Sequence, residues 1–242
     1  MLGLYDIHCH LLPGVDDGAE SIEETMKMLE MEYEQGVRTI FATPHFRKKM
    51  FEPPMEKVLE AYALVKKRAK HIGNGMEIYL GCEFHVNMDM VSALRYGARP
   101  TLAGSPYVLT EFSGAAECDY VRERVLNLLS SGFIPIIAHI ERYPNVVKNI
   151  DFIGQLSNMG ARISVNTESI LGHEGFSIKR FCKKIIKLDL LDFIGSDAHG
   201  ANQRVPQIGA CADYLIKKYG LDYVKRILKE NPEEILKEGK RN

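Results

Sequence analysis

Two histidines, His8 and His10, close a short apolar stretch, Tyr5-Asp6-Ile7-His8-Cys9-His10. Residues two apart in a strand share a face, so this spacing predicts two imidazoles side by side, with Cys9 turned away. Neutral imidazoles that converge suit a divalent ion of the zinc, iron or manganese type. The tight loop 13–18 follows and carries two carboxylates, Asp16 and Asp17. On its own the pair is a weak signal, because a chain with eight histidines in 242 residues holds about a quarter of a His-x-His by chance. Its weight comes from what ends the other apolar runs. His45, Glu83, Glu111, His139, Asp197 and His199 each stand where such a run stops. With Asp17 they make five imidazoles and four carboxylates. Nine donors exceed what one zinc-like ion takes and suit two or three ions, each keeping an open water position.

The apolar runs predict the scaffold. Strands are expected at 4–10, 37–43, 76–82, 107–110, 134–138, 162–165 and 191–195, with helical segments at about 22–35, 55–71, 117–131 and 177–188 and beyond 200. Ser21 with Glu24 predicts a capping box, and Gly36 a stop. Asn231-Pro232 predicts a fresh helix start. Near-continuous apolar strands alternating with helices predict an α/β fold with a parallel sheet buried on both faces. Seven strands and polar residues at nearly every strand end favour a distorted β/α barrel with its site at the strand C-terminal ends, over an open doubly wound sheet.

These residues carry a resemblance that covers essentially the whole chain. Asp6-Ile7-His8-Cys9-His10, Thr43-Pro44-His45, Gly81-Cys82-Glu83, residues 138–143 and Gly195-Ser196-Asp197-Ala198-His199 resemble the polymerase-and-histidinol-phosphatase (PHP) superfamily. Within it, residues 12–18 and the Glu141-Arg142-Tyr143 run after His139 resemble the manganese-dependent protein-tyrosine phosphatases of the CpsB/CapC type, from capsular and exopolysaccharide operons. The resemblance implies a seven-stranded PHP barrel, one domain over 1–242, and a trinuclear site. One ion would be held by His8, His10 and Asp197 and share Glu83 with a second. The second adds Glu111 and His139, and the third uses Asp17, His45 and His199. Manganese is the implied metal, with iron and zinc as alternatives on donor type. Arg142 and Arg204 match arginines that hold the phosphate. Ile140 stands where the family usually has proline, and Phe46 where it often has histidine or tyrosine, which bears on substrate fit.

The implied reaction is in-line attack on a phosphotyrosine by a hydroxide carried on the ions, with His199 or Asp197 as proton donor to the leaving oxygen. The implied substrate is the tyrosine-rich tail of a bacterial tyrosine kinase. Histidinol phosphate or another phosphoester is the alternative, and a non-catalytic kinase partner a third reading. Lys+Arg 31 against Asp+Glu 32 leaves no basic field to hold nucleic acid. No apolar run reaches membrane-span length and no signal pattern opens the chain. Five cysteines without CxxC spacing fit a reducing cytoplasm. Cys118 and Arg124 have the C-x5-R count of thiolate phosphatases, but the charged helical run between them lacks an anion-binding loop. Cys9, Cys82 and Cys182 read as small buried hydrophobes. His85 shares a face with Glu83 if its strand continues, and Asp6 is expected on the face of His8.

Overall fold

The computed structural model describes residues 2–240. Every strand pairing in it is parallel. β1 (Leu4–Cys9), β2 (Val37–Ala42) and β4 (Glu77–Leu80) form one sheet in the order β1-β2-β4. The second has the order β3-β5-β6-β7-β8-β9, from β3 (His45–Phe46), β5 (Glu83–His85), β6 (Tyr107–Glu111), β7 (Ile134–Ile137), β8 (Arg162–Asn166) and β9 (Phe193–Gly195). β2 runs on into β3 and β4 into β5, each after a two-residue break at 43–44 and 81–82. The seven predicted staves are therefore present, two of them cut into halves. The ring closes where β9 meets β1: Asp197 N donates to His8 O (2.8 Å) and His10 N to Ala198 O (2.9 Å). A curled parallel barrel results, as the strand count implied.

The alternation of side chains explains two cores. Ile7, Phe41, Leu109, Ile136 and Phe193 form a small cluster inside the staves, sealed by Leu102 and Ile235. A larger cluster lies between staves and helices. The main helices are α1 (Ile22–Glu34), α2 (Met55–Ala69), α4 (Cys118–Ser130), α6 (Ile150–Met159), α8 (Phe176–Lys187) and α9 (Ile208–Tyr219), with shorter α3 (Met90–Arg95), α5 (Pro144–Val147), α7 (Thr167–Leu171) and α10 (Leu221–Lys225). Ser21 caps α1 by accepting from Glu24 N (3.2 Å), as the capping box predicts. The Glu24 carboxylate reaches one residue further back, to Glu20 N.

Two expectations fail locally. Asn231 does not start a fresh helix. It has helical backbone angles, and α10 continues through a π turn (Arg226–Glu230) into α11 (Asn231–Gly239). The wider turn absorbs Pro232, which has no N–H to give, and Asn231 Nδ2 donates instead to Asp192 O (2.8 Å). Asp6 does not share the face of His8. Asp6 pairs with Ile40 and Cys9 with Ala42, so three steps on β1 match two on β2. This bulge turns Asp6 outward under α1 while His8 points to the rim.

Candidate metal centre

The strand ends deliver their polar residues to one small volume. His8 Nε2 and His10 Nε2 lie 3.0 Å apart. Glu83 Oε2 faces both at 3.2 Å, and Asp197 Oδ1 faces them at 3.4 and 3.5 Å. His45 Nδ1 lies 2.8 Å from the same Glu83 oxygen, but outside hydrogen-bond alignment. The other Glu83 oxygen meets His139 Nε2 at 2.7 Å. Asp17 Oδ1 stands 3.5 Å from His45 Nε2 and 3.6 Å from His199 Nε2.

Three groups have donor atoms close enough to share an ion: His8, His10, Glu83 and Asp197; His10, Asp17, His45 and His199; and His45, Glu83 and Glu111. The first is the set implied for the first ion. The second adds His10 to the set implied for the third. The last brings His45, not His139, to Glu111, while His139 meets the far oxygen of Glu83.

The arrangement fits cations on chemical grounds. Two ring nitrogens 3.0 Å apart turn lone pairs toward each other unless a proton or a cation lies between them. His199 Nε2 and Glu111 Oε2 are buried with no hydrogen-bond partner. Neutral nitrogens and ionised oxygens are the forms that bind metal. Burial pushes the Asp197 and Glu83 carboxyls up, but the facing imidazoles more than reverse this and hold both well below the usual range. Burial and the charge of His10 drive His199 down to about 2, so it is neutral. Glu111 moves the other way, raised by burial and by the neighbouring Glu83 charge.

Of the residues that orient this cluster, Arg142 and Arg204 were singled out from sequence, while Asp16, Asn166 and Glu174 were not. Asp16 accepts from His10 Nδ1 and from His45 N, both at 2.8 Å. Asn166 Nδ2, Arg142 Nη1 and Arg204 Nη2 all donate to Asp197 Oδ2 at 2.7 Å. Glu174 holds the other side of Arg142 at 2.9 Å. Tyr143 Oη lies 3.2 Å from His139 Nδ1. Asn166 ends β8, where the strand-end rule would have flagged it. Glu174 has no such signal, since it sits in a loop.

Backbone strain concentrates here. His139, Asp197 and Arg204 have φ of 33°, 52° and 47°, in the left-handed region that L residues avoid. Gly18 and Gly195 are required by close approach: a Cβ on Gly18 would lie 2.1 Å from His10 O, and one on Gly195 2.4 Å from His8 Cβ.

The two departures from the family pattern face inward. Ile140 is fully buried, and Phe46 packs edge-on against Phe84. Both bear on packing. His85 does continue its strand, pairing with Glu111. Cys118 begins α4, and burial raises its thiol, so nothing there generates a thiolate. Cys9, Cys82 and Cys182 are buried as expected.

Residues 4–237 match the family model for capsular polysaccharide synthesis, CpsB/CapC. The chain is 35% identical to the tyrosine-protein phosphatase CpsB of Streptococcus pneumoniae over 238 residues, covering 96% of this chain and 98% of that one. It is 31% identical to the putative tyrosine-protein phosphatase CapC of Staphylococcus aureus, covering 98% and 90%. Among solved structures it superposes, with TM-score 0.89 and 29% identity over 97% of its length and 95% of the other chain, on the metal-dependent tyrosine phosphatases YwqE from Bacillus subtilis and CpsB from Streptococcus pneumoniae. A histidinol phosphate phosphatase from Lactococcus lactis shares the fold at TM-score 0.61 and 15% identity, covering 90% of this chain and 94% of that one.

Proposed function

The chain belongs to the CpsB/CapC family of capsular polysaccharide synthesis proteins, and on that premise we propose that it is a metal-dependent protein-tyrosine phosphatase, with residues 1–242 acting as one domain. The observation that carries the reading is Glu83, whose two oxygens face His8, His10, His45 and His139, four imidazoles brought in from three other strand ends.

His8, His10, Asp17, His45, Glu83, Glu111, His139, Asp197 and His199 would hold two or three divalent ions, manganese foremost. Such ions supply Lewis acidity at the phosphoryl oxygens and a water made acidic enough to ionise near neutral pH. The protein's own groups do the rest. Arg142 and Arg204 bring two planar guanidinium groups to the rim, matched in shape and charge to phosphoryl oxygens. They are aligned through Asp197, and Glu174 anchors Arg142 from behind. Asp197 is held ionised and His199 neutral, so neither has a proton to give the leaving tyrosyl oxygen. That favours a holding part for both over the donor role expected from sequence. Asp16 fixes the ring of His10 and the backbone of His45 together.

The substrate would be a phosphotyrosine protein, the tail of a polysaccharide-assembly tyrosine kinase. A cytoplasmic site of action fits the five free cysteines. No helix among the described residues is long and apolar enough to cross a membrane. The test is metal content per chain, measured with turnover of a phosphotyrosine peptide, histidinol phosphate and a bis-aryl phosphodiester side by side. Two or more ions per chain with the peptide hydrolysed best supports the reading. Full peptide turnover after chelation, or preference for either of the other substrates, overturns it.

A further inference from the structure

We propose that the basic hairpin after β3, led by Arg47, is a second anion-recognition site on the rim, taking an acidic group of the peptide beside the phosphotyrosine. The proposal rests on the phosphatase reading above and extends it to sequence preference.

The placement follows from register. His45 pairs with Glu83 and Phe46 with Phe84, while His85 pairs with Glu111. Alternation along the strand carries Arg47 back to the side of His45, level with His85. Arg47, His85 and Glu111 thus form a layer directly above His45 and Glu83. Phe46 turns the opposite way, buried against Phe84 with the Arg99 guanidinium 4.1 Å from its ring centroid, which fixes the sense of the alternation.

The hairpin is built, not slack. Arg47 and Phe51 exchange two backbone hydrogen bonds of 2.8 Å each. Lys49 makes the turn at φ 65°, and the Phe51 ring stacks on His45 at 5.1 Å between centroids. An ion pair between Lys48 and Asp89 ties the hairpin to the loop after β5.

Arg142 and Arg204, which follow β7 and β9, are both engaged with Asp197. Arg47 differs. It is half-buried, and among the described residues its guanidinium has no hydrogen bond or ion pair. Its neighbour His85 has a buried ring nitrogen, Nε2, that also lacks a partner. The carboxylate of Glu111 belongs with His45 and Glu83 below. A half-buried arginine whose guanidinium makes no hydrogen bond or ion pair among the described residues is matched to a carboxylate or phosphate from outside. Round the closed ring, the stave that ends in Arg47 is separated from β9, which leads to Arg204, by β1 alone. An extended peptide whose phosphotyrosine sits at Arg142 and Arg204 would carry its neighbouring residues toward the hairpin.

Carboxylate and phosphate share this chemistry, so three peptides are needed. They carry one phosphotyrosine flanked by alanines, by glutamates, or by a second phosphotyrosine. Wild type is expected to show about tenfold higher kcat/KM for one or both acidic peptides over the alanine peptide, which corresponds to one well-placed ion pair. A gain with glutamate assigns a carboxylate, and a gain confined to the second phosphotyrosine assigns a phosphate. In Arg47→Gln the ratio of acidic to alanine peptide should collapse toward one. Arg47→Lys should restore part of it, and Arg47→Glu should invert the preference toward lysine-flanked peptides. Wild type hydrolysing all three peptides equally would overturn the proposal while leaving the phosphatase reading intact. An equal loss on every peptide in Arg47→Gln would also overturn it, since Arg47 would then support the centre instead of reading the flank. Failure to hydrolyse any of them would strike the phosphatase reading itself.

Discussion

Asp6 and Asp197 are both buried aspartates, and Ser196 joins them. Asp6 accepts from the backbone N–H and the hydroxyl of Ser196, the residue before Asp197. Yet their carboxyls are displaced in opposite directions. Burial raises Asp6, and the hydrogen bonds from Ser196 only partly counter it. Asp197 feels the same burial but is pulled well below its ordinary range by His8, His10 and Arg204. The difference lies in the company each keeps. On the rim, carboxylates alternate with imidazoles and guanidinium groups. Behind β1, Asp6 shares a sealed space with Glu32 and Cys9 and no cation. Burial by itself pushes an acid up, and it takes facing bases to hold one low and ready to bind a cation. Donor atoms come close together in both groups, but only the rim sets bases against its carboxylates.

The strongest test of the contrast removes the hub of the rim. Glu83→Gln keeps the shape but deletes the charge that four imidazoles face. Phosphotyrosine turnover should fall by about 10³-fold or more, with fewer ions bound per chain by elemental analysis. A variant that keeps both metal content and rate would mean the imidazoles hold the ions without it. Next in size come the arginines. Arg142→Ala or Arg204→Ala should cost about 10²–10³-fold in kcat/KM, as for lost clamps on a transferring phosphoryl group, while leaving metal content unchanged. Loss of metal in either variant would recast the arginines as props for Asp197. Asp16→Asn touches no candidate ion directly but frees the ring of His10 and the backbone of His45. Metal affinity should weaken by about 10–100-fold in a chelator competition, and excess metal should restore the rate.

The rim was legible in sequence, and the back of β1 was not, for a physical reason. Parallel strands buried on both faces are unbroken apolar runs, so a polar residue that ends one announces itself. His8, His10, His45, Glu83, Glu111, His139, Asp197 and His199 all carried that signal. What lies behind depends on pairing between two strands. The bulge that sends Asp6 outward appears only when β1 is set against β2, and alternation within β1 alone puts Asp6 on the wrong face. Glu174 was invisible for a similar cause: its tie to Arg142 spans two loops. The left-handed turns at His139, Asp197 and Arg204 had no signature either, because no glycine marks them. Asn231 shows the converse, where a strong local cap signal lost to a continuous helix that a π turn made possible.

The smallest predicted effect probes the back of β1. Both oxygens of Glu32 are buried without a hydrogen-bond partner, and burial followed by the Asp6 charge drives its carboxyl well above the ordinary range. An acid raised on folding holds its proton in the native state after the unfolded chain has released it. Its contribution to stability is whole below about pH 4.5 and is lost as pH rises toward the folded value. Glutamine mimics the protonated acid without that loss. Glu32→Gln should therefore match wild type near pH 4.5 and exceed it by a margin that widens through pH 7, on the order of 1 kcal/mol or more. Turnover should stay the same, since Glu32 touches neither substrate nor rim. Denaturant melts of both proteins at several pH values would measure the margin. A margin independent of pH would show Glu32 to be ionised in the folded protein. The sealed space behind β1 would then hold a compensating cation of its own, and the contrast between Asp6 and Asp197 would dissolve.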